Sequence, residues 1–209
     1  MVYRRSSLME ERLASNRGRI LDATRSLIAE GGLRGAQISA VANVAGMSTG
    51  VIYRHFRAKT DLFVEVLAAA VTHEIEILDA IRSGPGSATE RLHAAVASFT
   101  RRALNGPNLA YAFIAEPADP EVDIARIRER KRFAEVIRAI VADGVARGEF
   151  PAQNLDASAA CIVGAYTEAL VGPIGPTRDV VKDREALIGS ICVFCVRAVG
   201  GKGGGVGQS

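Results

Sequence analysis

Between Lys59 and Ile81 the chain carries an apolar stripe of Leu62, Phe63, Val66, Leu67, Ala70, Val71, Leu78 and Ile81, unbroken until "SGPG" at 83–86. Spacings of three and four residues put these side chains on one face of a helix, whereas a strand would scatter them over both faces of a sheet. The stripe therefore predicts one long helix, long enough to connect two units.

The same period runs through nearly all of the remaining chain. "RGRILDATRSLIAEGG" repeats Ile20, Leu21, Thr24, Leu27 and Ile28 and stops at Gly31-Gly32, and "QISAVANVAGM" turns Ile38, Val41, Ala42 and Ala45 inward and stops at Gly46. "MSTGVIYRHFRAK" restarts with Ser48 as N-cap and Val51, Ile52 and Phe56 facing inward. Ser87 and Glu90 form a capping box before a helix with Leu92, Val96, Phe99 and Leu104. "NLAYAFIAEP" reads as a short apolar helix. Asp119-Pro120 then supplies an N-cap and an N1 proline for a helix reaching about Gly148, with Phe133, Val136, Ile137, Ile140 and Val141 inside. Helices near 155–172 and 180–198 complete the count. The expected fold class is all-α with about nine helices: a flexible arm at 1–16, a smaller unit at 17–60, a larger unit at 61–199 and a flexible tail at 200–209.

Composition narrows the function. A chain of 209 residues, 48% hydrophobic and 23% charged, can bury a core. Its apolar runs are broken by charge, Gly or Pro before the ~20 residues of a bilayer span, and it opens on no signal-peptide segment, so a cytoplasmic location and no membrane partner are expected. Residues 1–60 hold ten Lys and Arg against four Asp and Glu, a net +6 within a chain of net +3. A basic front on a mildly acidic body suits a polyanion, although a solvated basic face reads the same way. Cys161, Cys192 and Cys195 are too few for a disulfide framework, and "CVFC" lies inside an apolar helical run, so no metal and no cofactor are expected. With His55, His73 and His93 as the only histidines and no phosphate loop, an enzyme is not expected.

Residues 38–56 carry the chemistry. A helix-turn-helix needs a small residue where its helices cross, a glycine in the turn and apolar residues at fixed offsets, and Ala42, Gly46, Val41, Ala45, Met47 and Ile52 meet those demands. Its second helix would lie in a DNA major groove with its flanks on phosphates. Lys59 begins the next helix, where a cation opposes the macrodipole and a phosphate would reverse the sign.

These residues resemble a known family. "GRILDATRSLIAEGGLRGAQISAVANVAGMSTGVIYRHFRAKTDLFVEVL", residues 18–67, is similar to the DNA-binding domain of the TetR family of bacterial transcriptional repressors, in its first helix, its G-x-S turn, its "YRHF" ending and its "K-x-D-L" helix start. The resemblance implies a tip of Ser48, Thr49 and Gly50, contacts to base edges or backbone from Tyr53, Arg54 and His55, and a phosphate contact from Lys59. Gln37 stands where the family usually has Ser or Thr as N-cap, and Ser39 is short at a position where some members carry a long base-reading side chain. Arg4 and Arg5 either enter the minor groove or make no contact.

The resemblance further implies a homodimer reading a palindromic double-stranded DNA operator, joined by the last two helices. Ala157, Ala160, Cys161, Gly164 and Ala165 keep one helix face small, and Leu187, Ile191 and Phe194 follow on the next helix; packing within one subunit would look the same. A small-molecule effector is implied among the middle helices. Its candidate residues are Phe99, Leu104, Tyr111, Phe113, Phe133, Ile137 and Tyr166, with Arg102 and Glu116 as polar groups, each of which fits plain core equally well. An apolar or acyl-type effector is expected to shift the dimer to a spacing that no longer fits the operator, with the long helix as lever. A transcriptional activator and a ligand-binding module without DNA binding remain the alternatives.

Overall fold

A computed structural model of the chain describes residues 2–177 and 181–200, with side chains from residue 14 onward. Its described residues form nine α-helices and no strand: α1 (Val2–Gly35), α2 (Ile38–Ala45), α3 (Thr49–His55), α4 (Lys59–Arg82), α5 (Ala88–Asn105), α6 (Pro107–Ile114), α7 (Pro120–Ala146), α8 (Leu155–Ile174) and α9 (Arg184–Ala198). The all-α expectation holds element by element. The first helix differs from it, since α1 begins at Val2 and takes in the backbone of the segment expected as an arm. Residues 2–17 contain neither Gly nor Pro, and extending a helix already anchored at Ile20 avoids the cost of nucleation. The side chains of Arg4 and Arg5 and the tail at 201–209 lie outside the described residues.

Glycine shapes the chain before the helix-turn-helix and the turn within it. α1 bends at Gly31 and Gly32, the latter at φ +66°, and α2 ends on Gly46 at φ +65°, whose N–H returns to the carbonyls of Ala42 and Asn43. Both angles lie in the left-handed region that side chains with a Cβ resist.

Two cores result. The first joins Ile20, Ile28, Val41, Ala45, Ile52 and Phe56 to Leu62, Phe63 and Val66 of α4, and it is completed by Ala112 of α6 and Val122 of α7. The second fills the space between α4, α5, α7, α8 and α9 around Leu92, Ile137, Ile140, Ile162, Tyr166 and Cys192. α4 serves both, and at 1.5 Å per residue its 24 residues run about 36 Å.

Helix ends are tied across the chain. Ser87 and Glu90 form the expected box, with Glu90 N–H donating to Ser87 Oγ at 3.1 Å and Ser87 N–H to Glu90 Oε2 at 2.8 Å. Glu149, 60 residues later, accepts the N–H groups of Ala88 and Thr89 at 3.0 and 3.1 Å. Buried Arg91 donates to the Arg82 carbonyl at 2.8 Å and pairs with Asp143 of α7, so one guanidinium joins the ends of α4, α5 and α7.

The helix α8, 20 residues long, is long and apolar enough to cross a membrane by length and composition, with a stretch of mean hydropathy 1.3. As expected from sequence, the run is not continuous, since Asp156, Gly164, Glu168, Gly172 and Pro173 interrupt it. In the fold its Ile162, Val163, Tyr166, Leu170 and Ile174 pack inside the larger core.

Candidate DNA-binding face and effector cavity

α3 is held by its inner side. Ile52 is fully buried and Phe56 nearly so, while Tyr53 is 54% exposed and Arg54, Ser48, Thr49 and Gly50 are exposed around it. His55 is half-buried, and its carbonyl accepts Arg17 Nη1–H at 3.0 Å. That same guanidinium stacks 4.4 Å from the Phe56 ring centroid and pairs with Glu65, clamping α1 against α3 and α4. Arg19 Nη2–H donates to the Ala45 carbonyl at 2.6 Å and so occupies the free C-terminus of α2. Two arginines of the basic front thus brace the helix-turn-helix from behind, and the side chains around Tyr53 stay clear.

The Ser48 cap departs from expectation, whereas Gln37, a poorer cap than the family's Ser or Thr, forms no side-chain cap bond either. Ser48 has the extended backbone of an N-cap, but its hydroxyl makes no cap hydrogen bond, and Gln37 turns its amide back to the Arg34 carbonyl at 2.9 Å. Both side chains, with that of Ser39, remain exposed. Lys59 is half-buried at the start of α4, its Nζ 5.0 Å from the Phe63 ring centroid, and Asp61 in the same turn accepts the Ala58 N–H at 3.1 Å. The ring and the carboxylate offset the unfavourable macrodipole at this end.

A cavity of about 270 Å³ opens between α1, α4, α5, α6, α7 and α8. Phe99, Phe113, Phe133 and Arg102 line it as expected from sequence. Arg102 binds Glu74, also on the wall, through Nε at 2.9 Å and Nη2 at 2.6 Å.

Other expected cavity residues are elsewhere. Leu104 and Ile137 are buried in the larger core, and Tyr111 packs against that core. Tyr166 stands behind the wall, tilted on Phe99 at 4.9 Å; its hydroxyl is buried without a partner, and burial pushes its acidity far below that of an ordinary tyrosine. Glu116 binds no cavity group. It accepts the Leu33 N–H at 2.9 Å just beyond the Gly31-Gly32 bend. These placements correct the expectation: an apolar helical stripe is wider than a cavity wall, and which part of it meets empty space depends on neighbouring helices.

The wall also holds residues that the sequence reading passed over, among them Leu21, Val66, Ala70, Arg126, Glu129, Val163 and Thr167. A signal existed on α7. Arg126 and Glu129 keep the phase of buried Val122 and Phe133, so charge on that inner phase marks a polar lining. Glu129 is buried and bonded to Arg128 at 3.0 Å and to Arg132 at 2.7 Å.

On the far side, Ala157, Ala160, Cys161 and Gly164 of α8 are exposed, Ala165 and Leu187 are half-buried, and Phe194 of α9 is 61% exposed. Ile191 corrects its assignment to this face, because it packs into its own subunit's core. The thiols of Cys192 and Cys195 are buried, and desolvation pushes them up to about 11 and about 12. Such thiols stay protonated at neutral pH. Among the described residues no cluster of metal-ligating side chains forms.

Comparison with known proteins gives this arrangement a family. Residues 20–66 match the model of bacterial regulatory proteins of the tetR family, and residues 85–170 match that of the tetracyclin repressor-like C-terminal domain. The transcriptional repressor KstR of Mycobacterium tuberculosis is 32% identical over 158 residues, covering 71% of this chain and 66% of that protein, just under two thirds of its length. Among solved structures, FadR of Bacillus subtilis in complex with stearoyl-CoA superposes with a TM-score of 0.74 at 22% identity, over 87% of this chain and 98% of FadR. RolR in complex with resorcinol superposes at 0.71 and 19% identity, over 93% of this chain and 92% of RolR. Taken with the exposed helix-turn-helix face and the helical body behind it, the two consecutive domain matches place this chain in the TetR family of bacterial regulatory proteins.

Proposed function

We propose that the chain is a cytoplasmic repressor that binds a palindromic operator as a homodimer and is released by a small apolar effector. The observation that carries this reading is the shared α4: its first turns complete the core under the recognition helix α3, and its middle turns wall the cavity. Anything that fills the cavity bears on the element that carries the reading head. The exposed tip of Ser48, Thr49 and Gly50, with Tyr53, Arg54 and His55 along the helix and Gln37 and Ser39 beside it, forms the DNA face, and Lys59 meets a phosphate by swinging off the Phe63 ring. The small exposed face of α8 with Phe194 forms the dimer contact. Support for an apolar effector comes from a wall of Phe99, Phe113 and Phe133, and from the stearoyl-CoA held by FadR, which shares the fold.

Selection of bound sites from random duplex DNA tests the reading. A palindromic consensus is expected, lost with Tyr53→Ala. With Lys59→Ala, affinity is expected to fall evenly across sequences, with a salt slope shallower by about one. No enriched site at low salt would leave only a ligand-binding module.

A further inference from the structure

The effector proposed above leaves open what its polar end is, and α7 bears on this. Arg126 and Arg130, one turn apart, both line the cavity, and both donate an Nη2–H to carbonyls at the C-terminal end of α6, Arg126 to Ala112 and Arg130 to Ile114 at 3.0 Å. Arg126 also pairs through Nη1 with Asp123. It is only 5% exposed, and its Nε–H is buried with no acceptor. A buried charged donor without an acceptor is unfavourable, and an incoming acceptor relieves it. Of the carboxylates on the cavity wall, Glu74 is committed to Arg102 and Glu129 to Arg128 and Arg132, while Asp22 of α1 is exposed to solvent.

We infer that the cavity takes an anionic amphiphile, its apolar tail among Phe99, Phe113 and Phe133 and its anionic head on the guanidinium groups of Arg126 and Arg130. This rests on the apolar-effector reading and adds the head group to it. Engaging the head draws Arg126 off the Ala112 carbonyl and frees the end of α6. That helix is tied to α1 through Asn108 Nδ2, which donates to the Ala29 and Glu30 carbonyls at 2.9 and 2.8 Å. The ligand's charge is thereby coupled to the DNA-binding unit.

Equilibrium binding of decanoate, decanol and decanoyl-CoA to the full chain tests the inference. Wild-type protein is expected to bind one of the two anionic ligands at least about tenfold more tightly than decanol, the scale of one charge-assisted hydrogen bond. A preference for decanoate identifies the head as a free carboxylate, and one for decanoyl-CoA as the phosphates of a carrier. Arg126→Gln should erase that preference while decanol binding stays within about threefold, and Arg126→Lys should keep part of it. Wild-type binding of all three at equal strength overturns the anionic head and leaves the apolar effector standing, whereas a preference that survives Arg126→Gln overturns the placing of the head on Arg126. Binding of none of them overturns the apolar effector itself. The wild-type comparison does not depend on any variant's folding.

Discussion

Single residues decide whether the helix-turn-helix closes. Gly46→Ala is expected to destabilise the protein by about 1–2 kcal/mol in chemical denaturation, because alanine resists φ +65° and its Cβ would press within 3.3 Å of Arg19 Nη2. Asp143 offers a pH test. The hydrogen bond from Arg91, reinforced by Arg147, holds its carboxyl below the usual aspartate range. Because its folded value is the depressed one, the pair stabilises the fold above the ordinary aspartate value and is lost as pH falls through the folded value. Thermal melts of wild type and Asp143→Asn should therefore differ at pH 7 and converge as pH drops below about 4. Such residues differ in how plainly they could be read. Ile52, Phe56 and Gly46 were legible because helical spacing and turn chemistry act within a few positions. The role of Glu116 was not, since its partner, the Leu33 N–H, stands 83 residues away.

Among the elements, α6 has the most ties for its length. It lines the cavity with Leu109, Ala110 and Phe113, buries Ala112 in the core of the DNA-binding unit, and leads into Glu116, which holds the end of α1. Glu116→Ala leaves the buried Leu33 N–H without an acceptor and is expected to cost about 1–3 kcal/mol, measured by urea titration. The helices themselves were legible, because each stripe and most breaks obey local rules, from the Ser87–Glu90 box to the N1 prolines at 107 and 120. The cavity was legible only in part. Phe99 and Phe133 declare an inner face, but the gap between α4 and α7 arises from how two helices approach, which neither stripe encodes alone. Charge at the inner phase of α7 was the available clue.

At the scale of the whole molecule, assembly rests on the exposed face of α8 and α9 proposed as the dimer contact. Phe194→Glu puts a charge in the proposed dimer face and is expected to weaken self-association about 30-fold or more in sedimentation equilibrium, the loss typical of a central apolar anchor. Ile191→Ala would act on subunit stability instead, since Ile191 faces inward. The two units were legible from the charge step near residue 60 and from the long stripe after it, whereas the sharing of their cores was not, because it joins residues far apart in the chain. That sharing has a consequence for synthesis. The core beneath the recognition helix lacks Ala112 and Val122 until the ribosome has moved more than fifty residues past Val66. At roughly 5–20 residues per second, the nascent reading head waits several seconds with that core open, and a chain stalled before Val122 is expected to recruit chaperones rather than DNA.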